Sequence, residues 1–360
     1  LKNLKEGAWY PTGDDQWQQR APYFIIAGTW NSGVNPLANA LLMHPQINAA
    51  NVHGFFLPRT FNRKFVTRTS KPPSMMLNNV TAADSSVENV NIQVFAARDR
   101  MYHAVYSPSS LRDTDSTAGS VNADNDASKR SKSKLVAMDI SPGLLFYAHT
   151  TSPSVVCVSP WSKIVILLRN PVDRLYQQWV YSKTKLSLSL SLEDWVAREM
   201  KAMQSTGLIG DNAAAQESAI ISERDAWNNY QSVSSSTGAA LGRSMYVLQL
   251  HDWILTYLEA GKKPSEEIII IASEELEENP TKKYAEVIGF LGLAPLNMTA
   301  ADNSHDFGNA ISKPVPPKGI DPMKKETRAM LEQFFRPYNK RLVKLLKEQG
   351  FEGEWEKIWK

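Results

Sequence analysis

The chain has 360 residues, 42% of them hydrophobic, enough apolar material for one large core or two modest ones. Its 40 basic and 37 acidic residues leave a net charge of +3, too near balance to argue for nucleic acid or an anionic membrane surface as partner. Cys157 is the single cysteine, which excludes an intramolecular disulfide and a cysteine-built zinc site, and the six histidines show no metal-ligand spacing, so no metal is expected.

Residues 1–20 read as an N-terminal extension. An apolar strand over Tyr23–Gly28 then runs into a turn with glycines five apart, Gly28 and Gly33, and Pro36 opens a short helix to Met43. Such a strand, turn and helix form a phosphate cradle, because the N–H groups of the turn and of the helix N-terminus converge on one point. Cradles of this type normally carry a lysine, and this one has none. A second strand is expected over Ile47–Val52. Ser107–Lys134, rich in Ser, Asp, Asn and Lys, reads as a mobile surface insertion at 107–134.

Further strands are expected over Leu135–Ile140, Lys163–Arg169 and Glu267–Ala272. Ile164–Leu168 and Ile268–Ile271 are continuously apolar, as strands covered on both faces are. Helical patterns occupy Val172–Lys183, Leu192–Met203 after a capping Ser191, Ser244–Ala260, Pro280–Leu291 and Lys325–Gln349. Ser232–Gly242 reads as a polar surface loop, and Lys313–Gly319 as a stiff, basic, proline-rich one. Alternating strands and helices predict an α/β domain with a central, mainly parallel sheet, one unit over 21–360. No run of about 18 apolar residues is present to span a bilayer, and the chain begins at Leu1, which leaves room for a leader or membrane anchor upstream. Asn79-Val80-Thr81 and Asn297-Met298-Thr299 are glycosylation sequons.

In an open parallel sheet ligands bind beyond the C-terminal strand ends. Four segments lie there: Gly28–Asn35, Asn51–Phe56, Asp139–Pro142 and Arg169–Arg174. The glycine spacing alone also admits a P-loop kinase, but Val34-Asn35 stands in place of Lys-Ser/Thr and no magnesium-holding aspartate is evident. Taken together, the four segments resemble the sulfotransferase family. The first loop and the helix ending in His44-Pro45 look like its 5′-phosphosulfate loop. Ser141-Pro142 matches its Ser-Pro pair, and Arg169-Asn170-Pro171 through Tyr176 is similar to its 3′-phosphate strand and helix. Tyr246–Trp253, Phe290–Leu293 and Arg336–Leu342 extend the likeness, closest to the carbohydrate branch related to heparan sulfate sulfotransferases.

The resemblance implies a P-loop-like three-layer sandwich. It also implies transfer of a sulfuryl group from 3′-phosphoadenosine-5′-phosphosulfate to a hydroxyl or amine of a glycan, in the Golgi lumen or another secretory compartment. Carried over residue by residue, Gly28, Ser32 and Gly33 fit the first loop, while Asn31 occupies the lysine position and Val34 and Asn35 replace hydroxyl residues. Asn51 stands at the catalytic glutamate position with His53 two residues on, a candidate base. Ile140 replaces a lysine before the Ser-Pro pair. Arg169 fits the 3′-phosphate arginine and Gln177 replaces its serine partner. Lys313 or Lys318 could supply the missing cation. Each has a plainer reading: a tight turn for Gly28 and Gly33, a salt bridge for Arg169, a hydrogen-bonded histidine for His53, solvated charges for the lysines. The substitutions keep a second function open, an inactive sulfotransferase-fold protein that binds protein partners.

Overall fold

The computed structural model describes residues 22–49, 136–210, 222–296, 319–320 and 322–359. The predicted extension at 1–20 and the insertion at 107–134 lie outside them. In chain order the elements are β1 (Pro22–Gly28), α1 (Val34–Leu41), β2 (Ile47–Ala49), β3 (Val136–Ser141), α2 (Ala148–Val158), β4 (Lys163–Leu168) and α3 (Pro171–Lys185). They continue with α4 (Leu192–Ser205), α5 (Glu223–Val233), α6 (Tyr246–Glu259), the single turn α7 (Pro264–Glu267), β5 (Ile268–Ala272), α8 (Ser273–Glu278), α9 (Pro280–Phe290), α10 (Lys325–Glu348) and α11 (Trp355–Ile358).

The five strands form one sheet in the order β2-β3-β1-β4-β5, with every neighbouring pair parallel. β1 sits at the centre and alternates its apolar side chains between two cores. Phe24 and Ile26 pack with α1 and α9, through Leu37, Leu41, Val287 and Ile288. Ile25 and Ala27 pack with α2, α6 and α10, through Val155, Leu250, Trp253 and Leu346. Helices on both faces explain why β4 and β5 are apolar at successive positions. Tyr246 and Trp253 of α6 belong to this second core and are 1% and 0% exposed. A third core, lying beyond the C-terminal edge of the sheet, joins α3, α4, α5 and the first half of α10 around Trp179, Trp195, Trp227 and Phe335.

Two expectations need correcting. Pro36 does not open α1: Val34 does, with Gly33 as its cap, and proline occupies the third helical position, where its missing N–H has no intrahelical partner to lose. Ser232–Gly242 is not a surface loop. It completes α5, forms a 3₁₀ turn at Ser234–Ser236 and buries Ala239, Ala240 and Leu241 at 2% exposure or less. Its small residues are needed for close approach: a Cβ on Gly242 would lie 2.5 Å from the Tyr230 hydroxyl.

Helix α2 went unpredicted because Thr-Thr-Ser-Pro-Ser reads as a turn. The hydroxyls are absorbed inside the helix pair. Ser152 Oγ bonds the Ala148 carbonyl at 2.8 Å and meets Thr256 Oγ1 of α6 at 2.8 Å, and Ser154 Oγ bonds the Thr150 carbonyl at 2.7 Å. Small polar side chains that satisfy their own backbone allow the two helices to pack closely.

Candidate functional site

The chain leaves β1 toward the β3 side of the sheet and later crosses to β4 on the other, so the C-terminal ends of β1 and β4 flank a topological switch point. A cleft of about 210 Å³ opens there. Thr29, Asn31, Gly33, Val34, Asn35 and Pro36 form one wall; Arg169, Gln177, Ser273 and Glu277 face them.

The loop after β1 is a backbone construction. Asn31 and Gly33 both adopt left-handed conformations, at φ 66° and 86°. Asparagine tolerates that region better than most residues, and a lysine at 31 would carry a strain of about 1 kcal/mol. Ser32 turns inward: its hydroxyl donates to the Thr29 carbonyl at 2.7 Å and accepts from the Thr29 N–H at 3.1 Å. Ser32 therefore braces the turn from inside. Gly28 is likewise a packing position, since a Cβ there would sit 2.6 Å from Ser32 Oγ and 2.8 Å from Val34 Cγ2. Beyond the turn, no side chain caps α1 and no acidic residue lies in its first turn. The leading N–H groups of the helix, with its positive dipole end, face the cleft and suit an anion.

Arg169 and Gln177 come from the opposite wall. Asn170 caps α3, its Oδ1 accepting from the N–H groups of Val172 at 3.0 Å and Asp173 at 3.3 Å, and Pro171 pre-sets the first helical turn. That cap fixes where Arg169 projects, and Gln177 lies about two turns along the same helix. Tyr246 holds the strand end by donating to the Arg169 carbonyl at 2.8 Å.

Three residues of α8 tie it to this wall. Ser273 Oγ reaches the Ser32 and Leu168 carbonyls, Glu274 Oε1 accepts from the Asn170 N–H at 2.6 Å, and Glu277 Oε1 accepts from Arg169 Nη2 at 3.0 Å. The β4–β5 register, Leu168 opposite Ala272, delivers α8 to that position. Burial pushes the Glu274 carboxyl above its ordinary value, against the pull of the Asn170 N–H and the Arg169 charge.

The residue that locks the loop in place is Arg174, which is fully buried. Its Nε donates to Ser244 Oγ at 2.6 Å, its Nη1 to the Trp30 carbonyl at 2.9 Å and to Gln178 Oε1 at 2.7 Å, and its Nη2 to the Ala240 carbonyl. Burial lowers its pKa to about 10, so it remains charged at neutral pH. Sequence reasoning missed Arg174, Ser273 and Glu277. For Arg174 a signal existed in Gln178, one helical turn on, a partner rather than a solvated neighbour. On the outer side of the loop, Trp30 is 44% exposed and lies over the Arg243 guanidinium, 4.9 Å from the ring centroid.

The structure thus brings Asn31, Gly33, Val34, Asn35, Arg169 and Gln177 to one cleft and keeps Gly28 and Ser32 in its framework. Asn51, His53, Lys313 and Lys318 lie outside the described residues. Ile140 is a buried core residue at 8% exposure. His44, at the end of the first helical segment, has a structural role: Nε2 pairs with the Ala294 carbonyl at 2.9 Å and Nδ1 accepts from the Gln46 N–H at 3.1 Å. No cluster of His, Cys, Asp or Glu that could hold a metal occurs among the described residues, nor does any helix long and apolar enough to cross a membrane.

Comparison with known proteins agrees with this geometry. The family model described as a sulfotransferase domain matches residues 22–308. Carbohydrate sulfotransferase 15 of Mus musculus is 24% identical over 201 residues, 56% of this chain and 33% of that protein. Its namesake from Nototodarus sloanii is 31% identical over 114 residues, 32% of this chain and 68% of that protein. A crystal structure of a sulfotransferase from Alicyclobacillus acidocaldarius shares the fold, with a TM-score of 0.50 at 19% identity over 93% of this chain and 98% of that one. The chain spans about a third of the length of the mouse relative.

Proposed function

The chain belongs to the sulfotransferase domain family, and from that premise we propose that it transfers a sulfuryl group from 3′-phosphoadenosine-5′-phosphosulfate to a hydroxyl or amine of a glycan. The observation that supports this most is the shared cleft, where the open N-terminus of α1 and Asn31 face Arg169 and Gln177 at a topological switch point. In such a transfer the acceptor oxygen or nitrogen attacks sulfur in line, the bond from sulfur to the 5′-phosphate oxygen breaks, and adenosine 3′,5′-bisphosphate leaves. The acceptor's proton passes to a base.

In this reading the leading N–H groups of α1 hold the 5′-phosphate, and the Asn31 amide donates to the departing oxygen. Arg169 engages the 3′-phosphate with Gln177 beside it. We assign the base to His53, next to Asn51, and the supplementary cation to Lys313 or Lys318. The glycan acceptor is supported by the carbohydrate sulfotransferase relatives. The same family likeness supports residence in the Golgi lumen or another secretory compartment. Loss of mass on glycosidase treatment, mapped to Asn79 or Asn297, would test it.

A second reading, donor binding without turnover by a subunit that serves protein partners, is favoured by one observation. The lysine position carries a left-handed asparagine, and removing one well-placed donor or cation typically costs about 10²–10³ in rate. A mass-spectrometric assay of sulfate transfer over a glycan panel separates the two. Products that gain one sulfate, and vanish with His53→Ala, support the enzyme. Donor binding with no product on any glycan supports the second reading.

A further inference from the structure

Arg169 and Glu277 are the only charged side chains among the described residues that line the cleft. They neutralise each other: Arg169 Nη2 and Glu277 Oε1 are 3.0 Å apart, and each side chain is 13% exposed. A pair so sheltered is screened far less by salt than a surface pair, so the contact is a real competitor for any incoming anion. A 3′-phosphate reaching Arg169 meets a carboxylate already seated on the guanidinium, and the two anions repel. A free 3′-hydroxyl meets the opposite situation. A carboxylate is an acceptor-only group and takes a hydrogen bond from a sugar hydroxyl, as acidic residues in other nucleotide folds do at the ribose. The carboxylate is also held from behind, because α8 is anchored by Ser273 to the Leu168 carbonyl and by Glu274 to the Asn170 N–H.

We propose that Glu277 is a specificity-determining residue of the donor cleft. By holding Arg169 it narrows the preference for a nucleotide bearing a 3′-phosphate over one bearing a free 3′-hydroxyl. The proposal rests on the donor reading above and deepens it. Specificity here is a difference between two affinities, and Glu277 supplies the repulsive element that acts on only one of them.

The experiment is calorimetric titration of the full chain with adenosine 3′,5′-bisphosphate and, separately, with adenosine 5′-monophosphate. In Glu277→Gln the ratio of the monophosphate Kd to the bisphosphate Kd is expected to rise about tenfold, through tighter bisphosphate binding. A structural role alone would shift both nucleotides together and leave the ratio where it was. A ratio in Glu277→Gln that stays within about twofold of wild type, with both nucleotides still bound, overturns the proposal and leaves the donor reading standing. Absence of binding by either nucleotide in wild type and variants overturns the donor reading, and this proposal with it. Glu277→Ala supplies the same comparison should the glutamine variant fail to fold.

Discussion

Replacing Arg174 with methionine tests how the loop after β1 is held. The guanidinium reaches the Trp30 and Ala240 carbonyls and Gln178 Oε1, and a methionine side chain in its place could donate to none of them. Ser244 is less affected, because its hydroxyl also reaches the Pro171 carbonyl at 3.0 Å. Acceptors left short of a donor cost roughly 1–3 kcal/mol each, and the Ala240 carbonyl keeps only a long contact with Ser244 Oγ at 3.5 Å. Against this, the substitution relieves a charge-burial penalty: burial has lowered the guanidinium pKa to about 10, which corresponds to roughly 3 kcal/mol at 1.36 kcal/mol per unit. The balance is a net loss of about 3 kcal/mol, or a melting midpoint lower by roughly 4 °C for a chain of 360 residues at about 2.1 cal/mol/K of unfolding entropy per residue. Urea unfolding followed by tryptophan fluorescence reads it directly. Arg174→Lys keeps the charge but not the planar fork, so it should recover little. A methionine variant within about 1 kcal/mol of wild type, or full recovery by lysine, would refute the reasoning.

Two other variants probe separate features of the site. Asn31→Gly keeps the left-handed backbone and removes only the amide; it should leave the melting midpoint unchanged or slightly raised while lowering turnover about 10²-fold, and sulfate-transfer rates beside a thermal melt check both. Glu199 is buried, and burial raises its pKa above the ordinary 4.5 despite bonds from the Tyr230 hydroxyl and the Gly242 N–H. As pH rises past 4.5 the unfolded chain loses this proton first, so unfolding releases a proton and stability falls until the folded carboxyl ionises too. The stability of Glu199→Gln relative to wild type should therefore increase as pH is raised through that window. A flat difference curve from denaturant titrations would contradict it.

Much of the sheet was legible because its strands depend on local apolar runs. Ile164–Leu168 and Ile268–Ile271 admit few alternatives, and the strands there begin and end within a residue or so of expectation. The Ser191 cap likewise announces α4, since capping is a property of a few adjacent residues. The cleft was partly legible for the same reason. Asn31, Arg169 and Gln177 sit at strand ends and one helix face, and a parallel sheet brings strand ends together. What stayed hidden depends on contacts made far along the chain. Arg174 falls in the segment expected at the strand ends, but its role shows only once the Ala240 and Ser244 segment, some seventy residues on, is seen to cover it. Nothing local in the Glu274–Glu278 run marks a site residue, yet register beside β4 brings Glu277 onto the cleft wall and Glu274 to the Asn170 N–H. Ser32 reads as a phosphate ligand, and only the closed geometry of the turn shows its hydroxyl already committed to Thr29.

The central claim is that the cleft between β1 and β4 is a live donor site. Calorimetric titration of the wild-type chain and of Arg169→Ala with adenosine 3′,5′-bisphosphate tests it most directly. The account predicts saturable, micromolar binding by wild type and its loss in Arg169→Ala, with both proteins equally folded. No heat of binding to wild type at millimolar nucleotide, or equal binding by the two proteins, would contradict it.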